Sequence, residues 1–168
     1  LVAGYDASCL VDAETGLHCW GADSFGFLTD IPAGLFQQVA VGRSFGCAID
    51  MDGFLDCWGG SATSPPGGLY AQVTAHSYQA CALDLGGEIS CWGSESTVLD
   101  PPEGVFTELS AAYDDMCALG ADRLAQCWGD NDSGHQAVPE VELLTLSVGD
   151  YHACGLDLSA ESVCWGEE

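Results

Sequence analysis

Ten cysteines are the side chains of this 168-residue chain with the most chemistry to offer, and their spacing limits what that chemistry can be. They fall in five pairs: Cys9/Cys19, Cys47/Cys57, Cys81/Cys91, Cys117/Cys127 and Cys154/Cys164. Nine residues separate the members of each pair, and Trp and Gly always follow the second. A structural zinc site needs four ligands, whereas each pair offers two thiolates and no Cys-x-x-Cys occurs. No cysteine is left over as a nucleophile, so the thiols read as disulfides of an oxidising compartment.

Other reactive groups are sparse. His18, His76, His135 and His152 fall at unrelated repeat positions, and no Ser/His/Asp set recurs. No assembled active site and no cofactor are expected. Asp130-Asn131-Asp132-Ser133-Gly134 has the opening of a calcium loop but lacks the downstream bidentate Glu, so Asp130 and Asp132 are a weak metal candidate. Asn131 is the sole Asn and heads a glycosylation sequon, Asn131-Asp-Ser133. Against 26 acidic residues stand only Arg43 and Arg123. Such a surface repels phosphate backbones and anionic membranes, which excludes nucleic-acid partners. It reads as a solubility device or as adaptation to an exterior medium, with a basic partner as the sharper alternative. No apolar run approaches the roughly 18 residues of a membrane span. Leu1 falls inside a repeat, and a leader is expected to precede it.

These residues must be positioned by repeated strands. Successive first cysteines lie 38, 34, 36 and 37 residues apart, the period of a repeat fold. The repeats, approximately 1–31, 32–65, 66–101, 102–138 and 139–168, form one domain, because each is too short to bury a core alone. Upstream of the cysteines recur Pro32-Ala-Gly34-Leu-Phe36, Pro66-Gly-Gly68-Leu-Tyr70 and Pro102-Glu-Gly104-Val-Phe106, with a degraded copy at Pro139-Glu-Val141-Glu-Leu143. Each predicts a turn and then a strand. The strand ends in small residues (Ala40 and Gly42, Ala75, Ala111 and Ala112, Gly149), which let backbones crowd together near an axis.

Between the paired cysteines the chain folds back. Met51-Asp52-Gly53 predicts a three-residue hairpin with Gly at the left-handed position. Symmetry about Asp52 sets Cys47 opposite Cys57, with Cα atoms about 4.5–5.5 Å apart, which suits a disulfide. Spacing alone leaves bridges between repeats open. Gly87 keeps the left-handed position in repeat three; Thr15, Arg123 and Ala160 occupy it elsewhere, so those turns are expected to differ. Each Trp points to the strand face opposite its cysteine and is expected to pack between adjacent sheets.

The motif Ala/Val-x-Gly, loop, Cys-Ala-Leu, turn, Cys-Trp-Gly resembles the repeats named after the regulator of chromosome condensation. Repeat five, Ser147-Val-Gly149-Asp-Tyr-His152-Ala-Cys154-Gly-Leu156 with Cys164-Trp-Gly166, carries the likeness best, and Trp128-Gly-Asp-Asn131-Asp-Ser-Gly134-His-Gln136 is similar to the family's Trp-Gly-x-Asn-x-x-Gly-Gln segment. The resemblance covers essentially the whole chain and implies an all-β fold: a five-bladed β-propeller of short antiparallel sheets. The cysteine pairs look like those of exported bacterial members. The repeats are shorter than the eukaryotic ones, implying blades with three strands or a stunted fourth, and five is fewer than the usual seven. Charge and compartment set this chain apart from the nuclear founder, whose exchange activity is not carried over. Secreted bacterial relatives include β-lactamase inhibitors that bind through aromatic loops on one propeller face.

The loop before each first cysteine is therefore the candidate partner-binding site: Tyr5 and Asp6; Arg43 and Phe45; Tyr78; Tyr113, Asp114 and Asp115; Asp150, Tyr151 and His152. Aromatics among polar groups suit a protein-binding face, although tyrosines there also serve as filling between blades. The expected function is an extracellular, non-catalytic binding or structural module, secreted or at the cell surface. The alternatives are a head-to-tail filament subunit, a secreted inhibitor and a secreted enzyme. Unpaired strand edges demand cover. Either the C-terminal hairpin packs beside residues 1–4 and closes the ring, or a second molecule covers them.

Overall fold

Five three-stranded antiparallel sheets, each following the chain from inner to outer strand, make up the protein. The computed structural model describes residues 1–60, 64–94, 100–113 and 115–167. Blade 1 contains β1 (Val2–Ala3), β2 (Ala7–Val11) and β3 (Leu17–Gly21). Blade 2 contains β4 (Phe36–Val41), β5 (Phe45–Asp50) and β6 (Leu55–Gly59). Blade 3 contains β7 (Tyr70–His76), β8 (Gln79–Asp84) and β9 (Ile89–Gly93). Blade 4 contains β10 (Phe106–Ala111), β11 (Asp115–Gly120) and β12 (Ala125–Gly129). Blade 5 contains β13 (Leu143–Val148), β14 (His152–Asp157) and β15 (Ser162–Gly166). The fold is a propeller with blades of three strands.

Every disulfide lies within its own hairpin, joining directly opposed residues of the middle and outer strands. The Cα atoms are 4.0–4.1 Å apart, shorter than the sequence reading supposed. They occupy positions between the ladder hydrogen bonds, where paired strands draw closest.

The five hairpin turns are alike, which corrects the expectation that three would differ. Thr15, Arg123 and Ala160 adopt φ of 66°, 67° and 61°, the left-handed conformation that Gly53 and Gly87 take at 93° and 86°. Part of the reason is capping. One Oδ of Asp12, Asp50, Asp84 and Asp157 accepts two backbone N–H groups of its own turn at 2.8–2.9 Å. The left-handed residue also turns its carbonyl toward the following blade. Thr15, Gly53, Gly87 and Arg123 each accept the N–H of the first inner-strand residue there: Phe36, Tyr70, Phe106 and Leu143.

Inner strands approach closely at the axis, as their small residues predict. A Cβ on Gly4 would lie 2.5 Å from Val41 Cγ1. Each inner strand of blades 2 to 5 carries a bulge after its first residue, and a side chain of the preceding blade pairs with the strand just beyond it. Gln38 Oε1 accepts Val73 N–H at 2.9 Å. Gln72 both accepts Leu109 N–H and donates to Leu109 C=O. Glu108 accepts the Thr145 hydroxyl and Leu146 N–H.

Four apolar clusters join blade 1 to 2, 2 to 3, 3 to 4 and 4 to 5. Each has the same plan: the disulfide and aliphatic residues of one blade's front face receive the Trp and inner-strand residues of the next blade's rear face. Trp58, Trp92, Trp128 and Trp165 are buried in this way, but Trp20 is 48% exposed. Among the described residues no such cluster joins blade 5 to blade 1, so the C-terminal hairpin does not pack beside residues 1–4.

Candidate functional site

Loops between inner and middle strands gather at one face, as the repeat requires. Backbone Arg43 N–H donates to Ser77 C=O at 2.8 Å, and Gln79 Nε2 donates to Tyr113 C=O at 2.8 Å, linking blades 2, 3 and 4. The Arg43 guanidinium lies 4.7 Å from the Tyr5 ring centroid and 5.6 Å from that of Tyr78. One cation is thus held between aromatic rings of blades 1 and 3. Tyr113 meets the His76 ring edge-on at 6.2 Å, and His76 Nε2 lies 3.6 Å from Asp150 Oδ1. Together these groups plug the axis, leaving a void of about 10 Å³ between Tyr5, Val41, Arg43 and Tyr113. That is space for a single water.

Beside the plug lies a cleft of about 420 Å³, lined by Tyr5, Tyr113, Tyr151, Asp115, Asp130, Asp132, Ser133 and Asp150. The loops of blades 1, 4 and 5 form it. Tyr5 and Tyr151 are largely exposed and Tyr113 about half exposed. Asp130, Asp132 and Asp150 are exposed carboxylates, so the cleft combines aromatic faces with negative charge.

The remaining candidates divide. Phe45 is not at this face: it is fully buried in the cluster between blades 2 and 3. It belongs to β5, where strand alternation turns it toward the next blade. Asp115 borders the cleft yet is tied up internally, Oδ1 accepting Asn131 N–H and Oδ2 bonding His135 Nδ1 at 2.9 Å. Asp6 and His152 are exposed, His152 at the start of β14. Asp114 lies outside the described residues. Asp130 and Asp132 flank Asn131, whose φ is 64° and whose Oδ1 accepts Gln136 N–H. Among the described residues no three His, Cys, Asp or Glu side chains converge as metal ligands would, and no helix is long and apolar enough to cross a membrane.

Two features escaped the sequence reading. His135 is completely buried, its Nε2 donating to Gly149 C=O at 2.9 Å while Nδ1 meets Asp115. It occurs in one repeat, and nothing in the spacing marks it. The axial Gln38, Gln72 and Glu108 do recur, nine residues before each first cysteine, a polar position inside an otherwise apolar strand.

The fold is shared with solved propellers. The ectodomain of the Physcomitrella patens receptor kinase CR4 superposes with TM-score 0.79 at 27% identity, over 98% of this chain and 49% of that one. The CRINKLY WD40 ectodomain of the Arabidopsis thaliana receptor kinase ACR4 gives 0.78 at 24% identity, over 98% and 61%. Prp20p from Saccharomyces cerevisiae, the yeast RCC1 protein, gives 0.77 at 13% identity, over 96% and 56%. The resemblance seen in the repeats is therefore present in the three-dimensional structure, with a disulfide in every blade. The chain spans about half to three fifths of these solved chains. No family model matches it, and no curated protein matches it in sequence.

Proposed function

We propose that this chain is an extracellular, non-catalytic protein-binding module that engages its partner through the face bearing the tyrosine–aspartate cleft, and that the partner contributes a cationic side chain. The carrying observation is the cleft itself: three tyrosine rings and the exposed Asp130, Asp132 and Asp150 around one concavity. Tyrosine supplies large contact area at small entropic cost, and a cation is attracted both by ring faces and by carboxylates. Neither arginine of the chain neutralises those aspartates by an ion pair among the described residues; the guanidinium of Arg43 is held over Tyr5 and Tyr78. The similar receptor-kinase propellers are ectodomains, and yeast RCC1 has been solved bound to Kap60, so related folds stand outside cells and hold protein partners. Five disulfides fit an oxidising exterior.

Affinity capture from culture medium by the oxidised protein, repeated with Tyr5→Ala, Tyr113→Ala and Tyr151→Ala, tests this reading. The partner should be lost from at least one variant, and its association rate should fall as salt rises. Unchanged capture by all three variants would place the binding face elsewhere.

A further inference from the structure

Each packed interface of this propeller pairs the disulfide of one blade with the tryptophan of the next. Cys9–Cys19 meets Trp58, Cys47–Cys57 meets Trp92, Cys81–Cys91 meets Trp128 and Cys117–Cys127 meets Trp165. Five disulfides and five tryptophans make four matches, and the halves left over are Cys154–Cys164 and Trp20. We infer that a second copy of this chain docks head to tail, seating its Trp20 against the Cys154–Cys164 bridge.

Three observations carry the assignment. The front of blade 5 is shaped for the contact: a depression of about 400 Å³ lies beside His152, Cys164 and Gly166. Leu156 on that face is 38% exposed, while its counterpart Ile49 in blade 2 is completely buried. The rear of blade 1 keeps apolar bulk. There Leu10 stands where blades 2 to 5 carry Ala48, Ala82, Ala118 and Gly155, small residues that lie beneath the first inner-strand side chain. A Cβ on Gly155, for example, would meet Leu143 Cδ1 at 2.7 Å. Finally, both faces avoid the charge that covers the rest of the molecule. No strand residue of blade 1 is acidic, and in blade 5 only Asp157 is, its Oδ1 capping its own hairpin.

The second copy follows from continuity with the internal interfaces, since the two open faces are the front and rear halves of one repeated contact. Ser162 replaces the Leu17, Leu55, Ile89 and Ala125 of the other blades, so the contact is weaker than an internal one and reversible. It is also heterologous, which lets it extend beyond a dimer unless rotation closes it.

Sedimentation of the oxidised protein across a concentration series, at low and high salt, reads the assembly. The expected result is reversible oligomers that strengthen with salt, because screening relieves repulsion between chains of net charge −24. Trp20→Ser and Leu156→Ser leave the charge unchanged and should each weaken association at least about tenfold. They spoil opposite faces, so an equimolar mixture should recover dimers and nothing larger. Circular dichroism and disulfide mass mapping establish that both variants fold. A chain monomeric under every condition, a Trp20→Ser variant that assembles like its parent, or a monomer whose Trp20 fluorescence is shielded from quencher by ring closure would overturn the inference. Tyr5, Tyr113 and Tyr151 variants should assemble normally, which separates this contact from the partner-binding cleft.

Discussion

His135 shows how one side chain can lock two blades. With Asp115 ionised, both ring nitrogens must donate, because a carboxylate and the Gly149 carbonyl only accept. Replacing His135 with Leu strands a buried carboxylate and should cost about 3–5 kcal/mol in denaturant melts. The double variant with Asp115→Leu should cost clearly less than the two single changes combined; simple additivity would show the pair uncoupled. Asp12 makes a different, exposed contact. The hydrogen bond from His18 at 2.7 Å, with those from the Gly16 and Glu14 backbones, holds its carboxyl below the usual 3.8. A folded-state value below the unfolded one stabilises the protein above that range, and the contribution disappears as pH falls through the folded value. Asp12→Asn keeps an oxygen acceptor for the turn but loses the charge. It should therefore melt earlier than the parent at pH 7 and converge with it in acid; a gap independent of pH would contradict this.

The hairpin is the element that the chain repeats with least freedom. Its left-handed residue is required because the same carbonyl that ends one turn hooks the next blade. A residue with a Cβ is strained there, and glycine is not. Ala160 is exposed, so Ala160→Gly should raise stability by about 0.5–1 kcal/mol in equilibrium unfolding. A loss would mean that Ala160 gains from packing unseen in the hairpin. The axial ladder makes an opposite demand. Gln72 satisfies both polar groups of Leu109, which is itself buried between blades 3 and 4. Gln72→Ala should cost about 1–3 kcal/mol, the penalty for leaving such groups unpaired. The exposed neighbour Gln37, tied by one hydrogen bond to the Asp50 carbonyl, should tolerate Ala far better.

For the whole molecule, stability is distributed along a row of contacts between successive blades rather than held in one central core. The disulfides belong to those contacts: the first cysteine of blades 1 to 4 is fully buried against the following blade. Reduction should therefore loosen every interface and lower the melting temperature markedly, each short bridge contributing roughly 2–3 kcal/mol. Peptide mapping with a protease other than trypsin should recover the five bridges within hairpins, and a reduced protein that melts like the oxidised one would refute their structural role.

Local features were legible in the residues because their partners are close along the chain. A hairpin brings Cys47 to Cys57 over nine intervening residues, and alternation in a strand sends Trp58 to the opposite face. The period near 36 residues then implies stacked blades, since one repeat cannot cover its own faces. What sequence left undecided depends on partners in other blades. Phe45 reads as a loop aromatic until β5 is seen to begin with it and turn it into the next interface. His135 reads as a stray histidine until Asp115 and Gly149, 20 and 14 residues away, converge on its two nitrogens. The Thr15, Arg123 and Ala160 turns read as exceptions until each is seen to hold the glycine conformation under capping and inter-blade hydrogen bonds. Only the tertiary structure shows that the series of blade contacts stops at four, because the packing of blade 5 against blade 1 depends on the rotation accumulated over every interface between them, a quantity no single repeat contains.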